Sequence, residues 1–366
     1  MLSVLHVLSS LNLGGAERIT VELAEVQRKH DLDAQILSLG GPDEFLVEEV
    51  RERGIPLQVN NTRQRRLRRY MHLYKVFRGF DVIHLHSRGA FKFVAPILPF
   101  LRQTRVVYTR HGLFPDDTPG LKFLYLLLRR FIHCIAFVTE SGREVFTANH
   151  NWNPKKLVVV QNGVFVPKEL PKASEGILRF GSIGRMVPVK GQFMLLDATE
   201  KLATACEEDR QGNQSFQLVF YGDGPLEAAL KERAGRIGKD LVVFKGREPD
   251  IEKIYGDLDV LVVASESEGL SMVIMEAMAR GIPTIATDVG GNGTLVLDGQ
   301  TGILLAEQSS QALCEAMLTM LRDRAVVKTL GARARTLVES RFSLLNTHQS
   351  YLQCYQSEYR GDASDE

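Results

Sequence analysis

The chain has little of what marks a secreted, membrane-spanning or metal-clipped protein. Of its 366 residues only four are cysteine: Cys134, Cys206, Cys314 and Cys354. They are scattered, with no CxxC pair and no zinc-like spacing. Neither a disulfide framework nor a metal knuckle is expected, and the usage fits a reducing cytosol. No apolar run approaches the roughly 20 residues that cross a bilayer. The opening MLSVLHVLSSL is apolar but has no basic region and no small-residue cleavage site, so it reads as a buried strand rather than a secretory signal. The GxGxxG fingerprint of dinucleotide-binding domains is missing, which argues against an NAD-dependent dehydrogenase. Low complexity is confined to the acidic tail GDASDE, which is expected to be disordered.

What is present is ordinary globular composition: 44% hydrophobic and 24% charged residues. A chain of this length is expected to form two domains. The net charge of +1 conceals an asymmetry. Residues 1–166 hold 23 Lys+Arg against 15 Asp+Glu, whereas the remainder holds 22 against 29. A basic half beside an acidic half suggests that the first faces something anionic: nucleic acid, a membrane surface or a phosphorylated acceptor.

Short Val/Ile-rich runs (SVLHVLSS, AQILSL, DVIHLHS, RVVYTRH, CIAFVTE, KLVVVQNG) alternate with amphipathic stretches such as Glu17 to His30 and Asp43 to Arg53. This alternation predicts βαβ units and a parallel sheet. The polar segment NGVFVPKELPKASEG (Asn162 to Gly176), with Pro167 and Pro171, reads as a linker. A second series follows: ILRFGSIG, FQLVFYGDG, LVVFKG, DVLVVAS, IPTIATD, GILL. The expectation is α/β: two doubly wound domains, 1–166 and 167–343, with a helix at 344–360. Ligands bind beyond the carboxyl ends of such strands, so the cleft between the domains is the default site.

The motifs fall at those strand ends. In DVLVVASESEGLSMVIMEAMARG, DVLVVAS is the strand, ESEGLS the turn and MVIMEAMARG the helix. A helix N-terminus presents unpaired N–H groups and suits phosphate. Gly269 lets backbone approach a ligand, and a carboxylate such as Glu276 suits vicinal sugar hydroxyls. Read without function, Glu268 is a capping acid and Glu276 a solvated helix position, but Glu276 lies among apolar neighbours. In SIGRMVPVKG, Arg185 and Lys190 suit a diphosphate, or are two surface cations near a turn. In YGDGPLEAAL, Gly222 and Gly224 form a tight turn that receives a nucleotide base or simply joins strand to helix. In SSLNLGGAER, Gly14 and Gly15 precede a helix as a phosphate-approaching loop would.

His111 in TRHG ends a strand and is a candidate substrate contact. His84 and His86 share a strand face; without nearby cysteines or carboxylates they suit packing or substrate contact better than metal. TRQRRLRRYMHLYKVFR (Thr62 to Arg78) has seven basic residues and no acid, with an apolar stripe of Tyr70, Leu73, Tyr74 and Phe77. It is either a core-packed helix with a solvated basic face or a membrane-surface helix drawn to anionic lipid. LKFLYLLLRRF (Leu121 to Phe131) adds weight to the second reading.

Taken in order, LNLGGAER, HG, NGV, GRMVPVKG, YGDGP, SESEGLSMVIMEAMARGIP, VGG and DGQTGIL resemble glycosyltransferase family 4, whose members have the GT-B fold. The resemblance covers nearly the whole chain. It implies that Arg185 and Lys190 hold the donor diphosphate and that Glu276 binds the ribose. It implies that Glu268, Gly269, Leu270 and Ser271 address the donor sugar and phosphates, that Gly14 and Gly15 approach the phosphate, and that His111 contacts the sugar near the reacting carbon. It further implies a retaining reaction without metal or other cofactor, and a final helix that returns to the first domain. One departure is Thr294, where the family often has a glutamate three positions after VGG. The expected function is a cytosolic, retaining transfer from a nucleotide-sugar to a saccharide or lipid-linked acceptor, in polysaccharide or lipopolysaccharide synthesis. The expected setting is the inner membrane face, with the Arg63–Arg78 segment as contact and no nucleic acid partner. A nucleotide-sugar 2-epimerase and a sugar-nucleotide-binding regulator are the alternatives.

Overall fold

The structure, a computed structural model, describes residues 1–12, 14–59, 66–112, 118–170, 176–208, 215–238 and 240–357, with Arg66 and Leu67 described by their backbone only. The tail GDASDE and the basic residues Arg63 and Arg65 lie outside the described residues. The chain divides into two compact units, one of Met1–Gly163 with Leu344–Glu366, the other of Val164–Ser343.

The first unit is built on seven strands: β1 (Ser3–Leu8), β2 (Asp33–Ser38), β3 (Leu57–Val59), β4 (Val82–Leu85), β5 (Arg105–Arg110), β6 (Cys134–Phe137) and β7 (Leu157–Val159). All pair in parallel, in the order β3-β2-β1-β4-β5-β6-β7. The second has six: β8 (Leu178–Ile183), β9 (Phe216–Tyr221), β10 (Val242–Gly246), β11 (Val260–Val263), β12 (Thr284–Thr287) and β13 (Gly302–Leu305). These too are all parallel, in the order β10-β9-β8-β11-β12-β13.

Continuous apolar strands such as VLVV in β11 and CIAF in β6 are buried throughout. A parallel sheet covered by helices on both faces requires this, since neither face meets water. Each strand residue buried this way contributes roughly 1.5–3 kcal/mol if it is Val, Leu, Ile or Phe. In both sheets the strand order reverses once, between β1 and β4 and between β8 and β11. At a reversal the loops leave in opposite directions and open a crevice at the carboxyl edge.

The C-terminal helix Leu344–Gln356 belongs to the first unit, packed on the helix Gly15–Lys29 and on β5. Tyr351 and Tyr355 are buried there, and Arg105 donates to the Tyr355 carbonyl at 2.7 Å.

The basic helix Arg66–Phe77 turns its apolar stripe inward. Leu73 and Phe77 are buried in the core of the first unit, and Tyr70 and Tyr74 are half-buried against it. Tyr70 stacks on Phe93 at 5.5 Å, and Tyr74 meets Phe100 edge-on. The stripe therefore serves the core, while Arg68, Lys75 and Arg78, together with Met71, meet solvent. Beyond Met71 and Phe100, exposed apolar side chains gather on the helix Pro119–Leu128. Leu121, Tyr125 and Leu128 face the core, while Phe123, Leu126 and Leu127 are each more than half exposed. Among the described residues no helix is long and apolar enough to cross a membrane.

Candidate active site

In the second unit, three loops at the carboxyl edge hold one another. The β8 loop carries Arg185 and Lys190. Arg185 is exposed, and its carbonyl accepts from Gln192 Nε2 at 3.0 Å. Lys190 Nζ reaches Glu268 Oε1, in the β11 loop, at 2.6 Å. Ser265 Oγ donates to the same oxygen at 2.7 Å. The backbone N–H of Glu266 donates to Val189 O at 2.8 Å. Because β8 and β11 are the pair at the reversal, their loops are neighbours, and two motifs far apart in sequence meet as an ion pair.

The β12 loop closes on the other side. Gly291 N–H donates to Gly269 O at 2.8 Å, and a Cβ at Gly290, whose φ is 56°, would collide with Glu268 O. Thr294 is exposed, one turn further on. Gly222, at φ 118°, lies against Gly184 O, and Met186 N–H donates to Asp223 O at 2.7 Å. The glycines Gly222 and Gly224 thus let the β9 turn lie flat on the loop that carries Arg185. Gly269 differs: a Cβ there would meet nothing within 4 Å.

The helix Met272–Ala279 follows Leu270 and Ser271. Ser271 is its N-cap and makes no side-chain cap hydrogen bond. No side chain therefore caps the first-turn amides, the arrangement that favours an anion. Glu276, on the second turn, is 9% exposed, and the Tyr255 hydroxyl donates to its Oε2 at 2.7 Å. Tyr255 itself is buried. Nothing in the sequence around Tyr255 marks it as a partner of Glu276, because the two meet only through packing of the helix Ile251–Gly256.

In the first unit Gly14 is extended and uncapped at the start of the helix Gly15–Lys29. The Glu17 carboxylate curls back over it, so that a Cβ at Gly14 would strike Glu17 Oε2. Burial pushes the Glu17 carboxyl above its usual range. Glu17 was legible as the start of the helix, but the return of its carboxylate over the loop expected to approach a phosphate was not.

His111 lies just past β5. Its Nε2 is 3.2 Å from His86 Nδ1, and its Nδ1 is enclosed with no hydrogen-bond partner among the described residues. Burial pushes its pKa down to about 4. His86 Nε2 meets His6 Nδ1 at 2.9 Å, and His6 Nε2 meets Gln27 Oε1 at 2.8 Å. His84 lies between the Tyr355 hydroxyl, 2.8 Å from Nδ1, and Thr109 Oγ1, 2.7 Å from Nε2. His6, His84 and His86 bring ring nitrogens within 4.8 Å of one another. All six of those nitrogens already sit in hydrogen bonds. Burial, then the neighbouring rings, hold His84 and His86 well below the usual histidine range. His6 and Gln27 carried no signal in the sequence; the register that sets His6 opposite His84 places the first, and packing of the helix Gly15–Lys29 on β1 brings the second.

Two units of parallel sheet with this strand order and these loops are the architecture of a GT-B enzyme. A solved structure of HepE from Anabaena, in complex with UDP and glucose, superimposes with a TM-score of 0.80 at 22% identity, covering 98% of this chain and 100% of that one. Residues 13–166 match the model of Glycosyltransferase Family 4, and residues 178–323 the model described as glycosyl transferases group 1. The lipopolysaccharide core biosynthesis mannosyltransferase LpsB of Rhizobium meliloti (strain 1021) is 31% identical over 365 residues, 94% of each chain. The UDP-Gal:alpha-D-GlcNAc-diphosphoundecaprenol alpha-1,3-galactosyltransferase of Escherichia coli is 24% identical, also over 94% of each chain. The chain belongs to the family 4 glycosyltransferases, and it is an enzyme of sugar transfer.

Proposed function

We propose that the protein is a retaining glycosyltransferase that takes a sugar from a nucleoside diphosphate and places it on a saccharide or lipid-linked acceptor, in the assembly of cell-surface polysaccharide or lipopolysaccharide. The observation that carries the donor reading is the Lys190–Glu268 ion pair, beside exposed Arg185, open space at Gly269 and the uncapped helix at Ser271. In the reaction the bond from the anomeric carbon to the diphosphate oxygen breaks. A new bond forms from that carbon to the acceptor hydroxyl oxygen, and the hydroxyl proton leaves with the diphosphate. Negative charge therefore grows on the diphosphate. Arg185, Lys190 and the first-turn amides are cationic or hydrogen-bond-donating groups suited to that charge, so the reading needs no metal ion. Glu276, oriented by Tyr255, is suited to accept from ribose hydroxyls. Glu268 and His111 are assigned to the sugar.

The acceptor class rests on the names of the relatives, one a mannosyltransferase of lipopolysaccharide core biosynthesis and one a galactosyltransferase of alpha-D-GlcNAc-diphosphoundecaprenol. The exposed Phe123, Leu126 and Leu127, with the basic face of Arg66–Phe77, support contact with an anionic membrane at its cytoplasmic face.

The test is thermal stabilisation by UDP-, GDP-, ADP- and CMP-sugars, followed by release of the nucleoside diphosphate with and without a membrane extract. Stabilisation by one class plus extract-dependent release bears the reading out. Stabilisation without release under any acceptor condition would point to an epimerase or a binding regulator, and no stabilisation at all would remove the donor site.

A further inference from the structure

In the sequence His84 and His86 stand out as a pair on one strand face, and His111 apart from them. The structure joins them to residues it did not single out. From Gln27 on the helix Gly15–Lys29, one line of hydrogen bonds runs through His6 on β1 and His86 after β4 to His111 after β5. Gln27 and His6 are fully buried and His86 nearly so.

Proton counting gives this line a direction. Each ring is held neutral by burial, so each carries one N–H. The Gln27 amide nitrogen donates to the Tyr355 hydroxyl at 3.2 Å, which leaves Gln27 Oε1 facing His6 Nε2. A carbonyl oxygen only accepts, so His6 Nε2 holds the proton and His6 Nδ1 is a lone pair. His86 must then donate from Nε2 and accept at Nδ1. His111 in turn donates from Nε2, and its Nδ1 is left as a lone pair. That nitrogen is the enclosed one without a hydrogen-bond partner among the described residues. A buried lone pair is tolerated better than a buried orphan N–H, which favours the same direction. Tyr355 completes the set: having accepted from Gln27 it donates to His84 Nδ1, and His84 Nε2 donates to Thr109 Oγ1.

We propose that Gln27, His6 and His86 are positioning residues that fix His111 in the Nε2-protonated tautomer, so that Nδ1 meets its ligand as a hydrogen-bond acceptor. On the transferase reading, the ligand class selected is a sugar with a hydroxyl to donate at that point. A group that can only accept, such as a carboxylate, is disfavoured there. That use of the tautomer rests on the proposed function; the tautomer itself does not.

The test is nitrogen NMR of the full-length, ligand-free protein carrying 15N-histidine, with the His111 signals assigned by His111→Asn. The expected result is a pyridine-like Nδ1 and a pyrrole-like Nε2 at His111. Gln27→Leu removes the terminal acceptor and should move the two shifts toward each other or exchange them. Gln27→Glu keeps an acceptor and should restore the wild-type pattern. If Gln27→Leu does not fold, His86→Leu, which removes the acceptor for His111 Nε2, should produce the same mixing. A proton on Nδ1 in the wild type would mean that the line runs the other way, with the Gln27 amide reversed, and would overturn the proposal. So would an unchanged His111 spectrum in folded Gln27→Leu or His86→Leu. Because no donor is added, failure here is separate from failure of the stabilisation panel above.

Discussion

Lys190 Nζ lies 2.6 Å from Glu268 Oε1, across 78 positions of sequence. The ammonium offers three donors, of which this carboxylate takes one. The pair therefore orients Lys190 without exhausting it, and Ser265 keeps the carboxylate from rotating away. Replacing Lys190 by Met should lower turnover on the order of 10²–10³-fold, the cost of removing one preorganised charge-stabilising donor. Stability should change little, because the pair is partly exposed. Nucleoside diphosphate release beside a thermal melt checks both. An activity loss with an equal collapse in Tm would make Lys190 structural.

Glu276 and Tyr255 give a prediction about binding. Glu276→Ala should weaken affinity for the nucleoside diphosphate by roughly 10-fold or more, as loss of a hydrogen bond to a charged group does. Tyr255→Phe should have a smaller effect, since it removes one hydrogen bond to the carboxylate without removing the carboxylate. Titration calorimetry with the nucleoside diphosphate that the stabilisation panel selects compares the two variants. Equal affinity in wild type and Glu276→Ala would end the ribose assignment.

The buried histidines make stability depend on pH. His6 and His111 are each pushed down to about 4 by burial, from 6.5. Between those values the unfolded chain binds protons that the folded chain does not, so stability rises with pH across that window. Tm should be level above about pH 7 and fall steadily from pH 6.5 toward 4. His6→Gln should flatten part of that slope if it folds. A Tm independent of pH in this range would contradict the burial of the rings.

Gly290 is held at φ 56° with its Cα against Glu268 O. Gly290→Ala should therefore displace the β11 loop and cost roughly 1–3 kcal/mol, with activity lost in step. Gly269→Ala meets open space within the chain. It should leave Tm near wild type yet impair donor binding. Chemical denaturation and the binding assay read the contrast; a Gly269→Ala protein with unchanged affinity would show that no ligand approaches there.

For membrane contact, Leu126→Glu with Leu127→Glu should reduce co-sedimentation with vesicles of anionic phospholipid. Arg68→Glu with Lys75→Glu should do so most strongly at low salt, because surface charge is screened. Sedimentation unaffected by all four changes would rule out both surfaces.

The fold class was legible because parallel strands buried on both faces are short, apolar and rich in Val and Ile. VIHL, VLVV and TIAT stand out against the amphipathic stretches around them. The motif residues were legible for a related reason. Glycine and charge at the carboxyl end of a buried strand have no core role, so Arg185, Lys190, Glu268 and Gly269 drew notice. The apolar stripe Tyr70, Leu73, Tyr74 and Phe77 was visible too, but its periodicity is the same whether it faces core or lipid. Only packing on Phe93 and the core of the first unit decided for the core.

What tertiary structure alone decided are the pairings. Strand order set Lys190 against Glu268, and parallel register set His6 beside His84 and within reach of His86. The docking of Leu344–Gln356 brought Tyr355 to Gln27. Sequence determines which groups lie along each strand and helix, because local periodicity fixes their faces. Which group meets which depends on contacts between elements remote in the chain, and no local pattern encodes those.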